Sequence, residues 1–168
     1  MKCLLRGFLA GFVALLFGAC ASTPDYVYRY QRGKTATLEN GFAVAPPGAP
    51  TQVYAAIAAG NAIVGSPYQR GGGHGVKDDV AFDCSGAVSY VLREAGLMAG
   101  SMPSTGFRKF GDSGPGKWFT VYARSGHVFL VVAGLRFDTG WTGEPEGPRW
   151  TTKKRPAGKY VMRHPRAW

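Results

Sequence analysis

An α+β domain, with N-terminal helices packed on an antiparallel β-sheet, is predicted by the order in which two periodicities follow one another along this chain. Helical spacing of apolar residues runs from position 51 to 95, and strand-like apolar runs begin at Trp118. Helices first and strands later is the pattern of helices laid against an antiparallel sheet. The length of 168 residues suits one domain.

The elements follow in chain order. Residues 1–19 read as a secretory signal: Lys2 and Arg6 form a positive start, an apolar run extends from Gly7 to Phe17, and Gly18 and Ala19 are small. The run is shorter than the about 20 residues a spanning helix needs. Cys20 behind Phe17-Gly18-Ala19 resembles the lipobox of bacterial lipoproteins, with Phe17 where leucine is usual. The resemblance implies lipid on Cys20 and a membrane-anchored mature chain in the cell envelope. Ala21, where aspartate would favour inner-membrane retention, points to the outer membrane, facing the periplasm, in a host that has one. Cleavage near Ala19 or Ala21 with an incidental cysteine is the alternative.

Residues 20–50 read as the lipidated N-terminus and a tether, from Ser22-Thr23-Pro24, a Tyr/Arg stretch (Tyr26, Tyr28, Arg29, Tyr30, Arg32) and Pro46-Pro47-Gly48-Ala49-Pro50. The Tyr/Arg stretch is expected to pack, partly ordered, against the domain; stacking on sugars or lying on lipid headgroups is the alternative. The domain is expected over 51–168. Thr51 to Val64 has Val53, Ala56 and Ile57 on one helical face, Thr51 as a candidate cap, and Gly60 on the same face, where a glycine fits only if another element packs closely. Pro67 to Ala81 is a glycine-rich loop without the ending of a phosphate loop. Asp83 to Ala95 is the second helix: Cys84, Ala87, Val88, Val91, Leu92 and Ala95 form one apolar stripe, Asp83 is a good N-cap and Gly96 a good stop. Phe119–Tyr122, Val128–Ala133, Leu135–Asp138 and Lys159–Arg163 are the expected strands, with a turn at Ala133-Gly134.

Charge and cysteine usage narrow the chemistry. The formal charge is +10, or +8 once Lys2 and Arg6 leave with the signal. A basic surface suits any polyanion, but the charges are dispersed, and outside the cytoplasm nucleic acid is not the expected partner. Of Cys3, Cys20 and Cys84, only Cys84 remains free in the mature domain, so it is either a small core residue or a reactive thiol. At a helix start, with an imidazole near, its thiolate would be favoured. His127 opens the most apolar strand and is the candidate base; a partly buried structural histidine is the alternative. His74, in the glycine loop, is a rival base with little to hold it. No His or Cys pair has metal-ligand spacing, and no cofactor is expected.

Motif context weighs these readings. Phe82-Asp83-Cys84-Ser85-Gly86 at a helix start, Ser125-Gly126-His127-Val128 before an apolar strand, Pro67-Tyr68-Gln69-Arg70-Gly71-Gly72 and Met102-Pro103-Ser104-Thr105 together resemble, in order and spacing, the NlpC family of cell-wall cysteine peptidases over residues 51–140. The resemblance implies a papain-like core and hydrolysis of amide bonds in peptidoglycan stem peptides; a monomer is expected, although the sequence carries no signal of oligomeric state. It implies Cys84 as nucleophile, His127 as general base and Asp138 as the residue that holds the base, with Thr139 as alternative. Tyr68 would lie beside the nucleophile, and Asp83 and Ser85 would flank a pocket for the substrate's amino end. Arg70 replaces the usual aromatic, residues 73–79 are an insertion, and the tail 140–168 matches nothing in the pattern. A cysteine–histidine wall amidase, an acyltransferase and a non-catalytic wall-binding envelope lipoprotein are the competing functions.

Overall fold

The computed structural model describes residues 22–75, 79–140 and 146–168. The predicted signal peptide and Cys20 lie outside them, as do Val76 to Asp78 of the insertion. The described chain is a mixed α+β fold. It has strands β1 (Thr37–Glu39) and β2 (Phe42–Val44), helices α1 (Thr51–Ala62), α2 (Cys84–Glu94) and α3 (Ser104–Phe107), and strands β3 (Asp112–Ser113), β4 (Phe119–Arg124), β5 (His127–Val132), β6 (Leu135–Asp138), β7 (Arg149–Thr151) and β8 (Val161–His164). Six strands form one sheet in the order β3-β8-β4-β5-β6-β7, every neighbouring pair antiparallel, and β1-β2 form a separate hairpin.

The unbroken apolar run of β5 has its cause in this order. The strand has a neighbour on each side and a packed layer on each face, so all six of its residues are buried. Val128, Leu130 and Val132 face a core shared with Val53, Ile57, Val88, Val91 and Leu92 of α1 and α2. Phe129 and Val131 face a second core, made with Tyr122, Tyr26, Ala157 and Tyr160. The turn between β5 and β6 holds Ala133 at φ 45° and Gly134 at φ 78°, the left-handed pair of a two-residue hairpin whose twist matches its strands.

Four sequence expectations need correction. Pro50, not Thr51, is the N-cap of α1, and no side chain caps that end; α1 stops at Ala62, short of Val64. The stop is backed by Asn61, whose side-chain amide bonds both the N–H and the C=O of Ala43 in β2 at 2.9 Å. The segment read as a tether is, from residue 22 on, packed onto the domain, as expected for its Tyr/Arg stretch but not for the rest. Tyr26 is 4% exposed and forms a bridge with Arg155, and Ala36 N–H donates to the Ala133 carbonyl. Its proline cluster is a turn, with Ala49 N–H donating to Pro46 C=O, and its Asn40-Gly41 pair is the tight turn of the β1-β2 hairpin. The tail supplies β8, where a last strand is expected at Lys159–Arg163, and also β7, which the sequence does not suggest, one on each side of the central strands. It also accounts for Gly60: a Cβ there would lie 2.4 Å from the Trp150 ring of β7, so α1 crosses the sheet at the distance a bare backbone permits.

Candidate active site

Cys84 is the first residue of α2 because Asp83 ends the preceding extended chain and caps the helix, its Oδ1 accepting from Gly86 N–H at 2.7 Å. The apolar stripe of α2 lies over β5 and β6, which carries Cys84 to the start of β5. The N–H groups of Val128 and Ser85 lie near enough there to favour its thiolate. The side chain is buried, and burial pushes the Cys84 thiol up from its ordinary pKa; the nearby charges of Asp83 and Asp138 add to this, while the two N–H groups oppose it. The helix start alone predicts the opposite direction. Desolvation outweighs it, so the group rests as a thiol at neutral pH.

His127, next to Val128, is the first residue of β5. Its Nε2 lies 2.8 Å from Oδ1 of Asp138, the last residue of β6. Because β5 and β6 pair Val131 with Arg136 and Leu130 with Phe137, period-2 alternation puts His127, Arg136 and Asp138 on one face. The pairing consumes Nε2 and leaves Nδ1 as the nitrogen able to exchange a proton. Asp138 Oδ1 also accepts from Thr139 N–H at 2.8 Å, so the carboxylate caps the turn and holds the imidazole at once. Thr139 Oγ1 is buried without a hydrogen-bond partner and does not hold the ring.

The other oxygen of Asp138 faces two guanidinium groups, Arg155 Nη1 at 3.0 Å and Arg136 Nε at 3.6 Å. Arg136 is 1% exposed, and burial pulls its pKa below the usual arginine value despite the attraction of Asp138. Its guanidinium lies 5.5 Å from the Tyr26 ring and 5.8 Å from that of Phe129; Arg155 lies 5.5 Å from the Phe129 ring. Tyr160 sets its ring edge-on to His127 at 6.3 Å. The sequence does not mark any of these residues as part of the site, although Tyr26 belongs to the Tyr/Arg stretch expected to pack on the domain. Arg136 was the one with a signal, because alternation within Leu135-Arg136-Phe137-Asp138 places a charge on the face of Asp138. Arg155 and Tyr26 are brought in by tertiary contact alone.

Tyr68 is partly buried next to Cys84, held by a bridge to Phe82. Burial raises its pKa, and Cys84 and Asp83 add to the shift. Asp83 and Ser85 are joined by a 2.9 Å hydrogen bond from Ser85 Oγ to Asp83 Oδ1. His74 differs from expectation: its Nε2 lies 3.2 Å from Asp83 Oδ1 and 3.2 Å from Ser85 Oγ. The loop that carries it is clamped, not loose. Asp83 N–H donates to Gly72 C=O, Gly71 N–H to Asp83 Oδ2, and Gly72 abuts Gly86 so closely that any side chain on Gly86 would collide with the Gly72 carbonyl. His74 therefore belongs to the Asp83 side of the site.

An open cleft of about 330 Å³ beside the turn before His127 is lined by Arg108, Arg124, Ser125, Lys159 and Val161. Its charged lining is wholly cationic. Among the described residues, no three of His, Cys, Asp and Glu are grouped as metal ligands. Family models, curated proteins and solved structures were each compared with the chain, and none matches.

Proposed function

We propose that this protein is a papain-like cysteine peptidase of the NlpC type that hydrolyses amide bonds in peptidoglycan stem peptides, as a lipoprotein anchored through Cys20 in the cell envelope. The observation that carries the reading is the convergence at the start of β5: α2, which begins at Cys84, packs over β5, and His127, the first residue of β5, is held through Nε2 by buried Asp138. The four ordered motifs support the family, and the cationic cleft beside His127 suits a peptide that carries free carboxylates.

The cycle is acyl transfer. Cys84 Sγ attacks the amide carbonyl while its proton passes to His127 Nδ1, so the raised thiol pKa is met by a base and not by a standing thiolate. Asp138 keeps the ring oriented and stabilises it once protonated. The N–H of Cys84, at the open end of α2, faces the developing oxyanion. His127 returns the proton to the leaving nitrogen as the C–N bond breaks. A water then attacks the thioester, giving its proton to His127, and the acid leaves as Sγ recovers its own.

Digestion of purified peptidoglycan followed by mass analysis tests the proposal. New amine and carboxylate ends within the stem peptide are expected with the wild type and are lost with Cys84→Ser, which hardly changes side-chain volume. Cleavage between sugar and peptide makes the protein an amidase, and transfer to an added amine an acyltransferase. Sedimentation with the wall and no products leaves only a binding lipoprotein. Unchanged membrane fractionation of Cys20→Ala, with no lipid mass on the mature N-terminus, refutes the anchor.

A further inference from the structure

A carboxylate and a hydroxyl flanking a nucleophile form a pair suited to a substrate ammonium group. Here that pair is already engaged. An ionised carboxylate offers about four acceptor positions, and Asp83 has four contacts from its own chain: Gly71 N–H at 2.8 Å on Oδ2, and Gly86 N–H at 2.7 Å, Ser85 Oγ at 2.9 Å and His74 Nε2 at 3.2 Å on Oδ1. The Ser85 oxygen, having donated to Asp83, faces the same His74 nitrogen at 3.2 Å. Two of the four donors are backbone groups that hold the loop and the helix start, and the third is the neighbouring hydroxyl. His74 is the one contact from a side chain outside the motif, and it is partly exposed.

The imidazole is held from behind. Ser101 Oγ, in the loop after α2, donates to the His74 carbonyl at 3.2 Å. Gly73 packs so closely on Phe82 and Gly86 that a Cβ would come within 2.8 Å of either. On the far side Gly75 N–H donates to Asp79 Oδ2 at 2.9 Å. An ammonium could reach Asp83 only by displacing a side chain whose backbone is tied on both flanks.

We infer that His74 fills, from the chain's own loop, the position at which a substrate ammonium would meet Asp83 and Ser85, so that the enzyme takes stem peptides whose amino end is acylated, as in a stem still joined to its sugar. The inference rests on the reading of Cys84 as nucleophile. His74 acts as a specificity-determining residue, by occupying the site and not by moving protons for the reaction.

The test uses a synthetic stem peptide with a free amino end and its N-acetylated counterpart. Calorimetry on the full chain carrying Cys84→Ala reads binding without turnover. That protein should bind the acetylated peptide at least as tightly as the free amine. Adding His74→Ala should tighten the free amine about tenfold, the scale of one charge-assisted hydrogen bond, and leave the acetylated peptide unchanged. His74→Gln, which keeps a donor, should retain the original preference. In turnover by the otherwise wild-type enzyme, the His74→Ala effect should fall on KM for the free amine and not on kcat. A preference for the free amine with His74 present overturns the inference and leaves the hydrolase reading standing, as does an equal effect of His74→Ala on both peptides. The expected binding pattern without any turnover by the wild type supports the inference but overturns the hydrolase. Failure of both peptides to bind overturns both.

Discussion

Cys84 is pulled in two directions. The helix start and two N–H groups favour its thiolate; burial and the charges of Asp83 and Asp138 disfavour it, and burial dominates. Alkylation of Cys84 by iodoacetamide should therefore rise with a midpoint above that of an ordinary cysteine, about 8.5. Asp138→Asn removes one of the charges that raise the thiol, so its midpoint should move down; a midpoint unmoved or moved upward refutes the assigned coupling. The same variant separates orientation from nucleophilicity. Asp138→Asn should lower kcat/KM by about 10²–10⁴-fold, the worth of well-placed acid–base catalysis, while Cys84 still alkylates. Thr139→Val should retain wild-type rates, because Thr139 Oγ1 bonds nothing. A large loss in Thr139→Val with none in Asp138→Asn transfers the role to Thr139.

At the scale of elements, the start of β5 is placed by the packing of α2 over β5 and β6, and α1 is placed by Trp150. A helix-interior glycine normally costs about 1 kcal/mol relative to alanine, so Gly60→Ala ought to stabilise an isolated α1. In the folded protein the added Cβ would lie 2.4 Å from Trp150, a ring already packed against Phe137 at 4.8 Å between centroids. The expected outcome is net destabilisation by about 1–3 kcal/mol from overpacking, read as a lower urea midpoint at unchanged m-value. A raised midpoint would mean that α1 and β7 can separate without loss. Gly86 is subject to a stronger form of the same constraint, since its neighbour is the backbone of Gly72 and not a side chain.

At the scale of the whole molecule, both ends of the described chain close the sheet face that carries His127 and Asp138. Tyr26 donates to Gly134 C=O at 3.0 Å, accepts from Arg136 N–H at 3.1 Å and meets the Phe129 ring edge-on. Ala157 and Tyr160 complete that layer from the C-terminal side. Tyr26→Phe should cost about 1–3 kcal/mol by leaving the Arg136 N–H unsatisfied, and Tyr26→Ala about 3–5 kcal/mol by opening a large cavity. Thermal or denaturant unfolding measures both. If residue 26 belonged to a free tether, both variants would unfold like the wild type.

Much of the site is legible in the sequence because it depends on local periodicity. Asp83 before an apolar stripe with glycine behind it specifies where α2 begins, and hence that Cys84 stands at a helix start. The run from Val128 to Ala133 and the turn at Ala133-Gly134 specify β5, β6 and the diagonal that brings Asp138 to His127. Three other features were not legible, because each depends on segments far apart in the chain. The burial that raises the Cys84 thiol comes from the sheet beneath α2. The pair of arginines around Asp138 requires β6 and the chain near Arg155 to share one buried face. The seat of His74 exists because a glycine loop lies against the backbone of α2, and no periodicity encodes that approach. Sequence by itself determined where α2 begins and where β5 turns into β6, since those points follow from a cap, a turn and alternation over a few residues, whereas the ends of α1 did not follow from its sequence. Tertiary structure alone decided which charges those points meet and how much water remains around them, because both depend on which distant segments come to lie side by side.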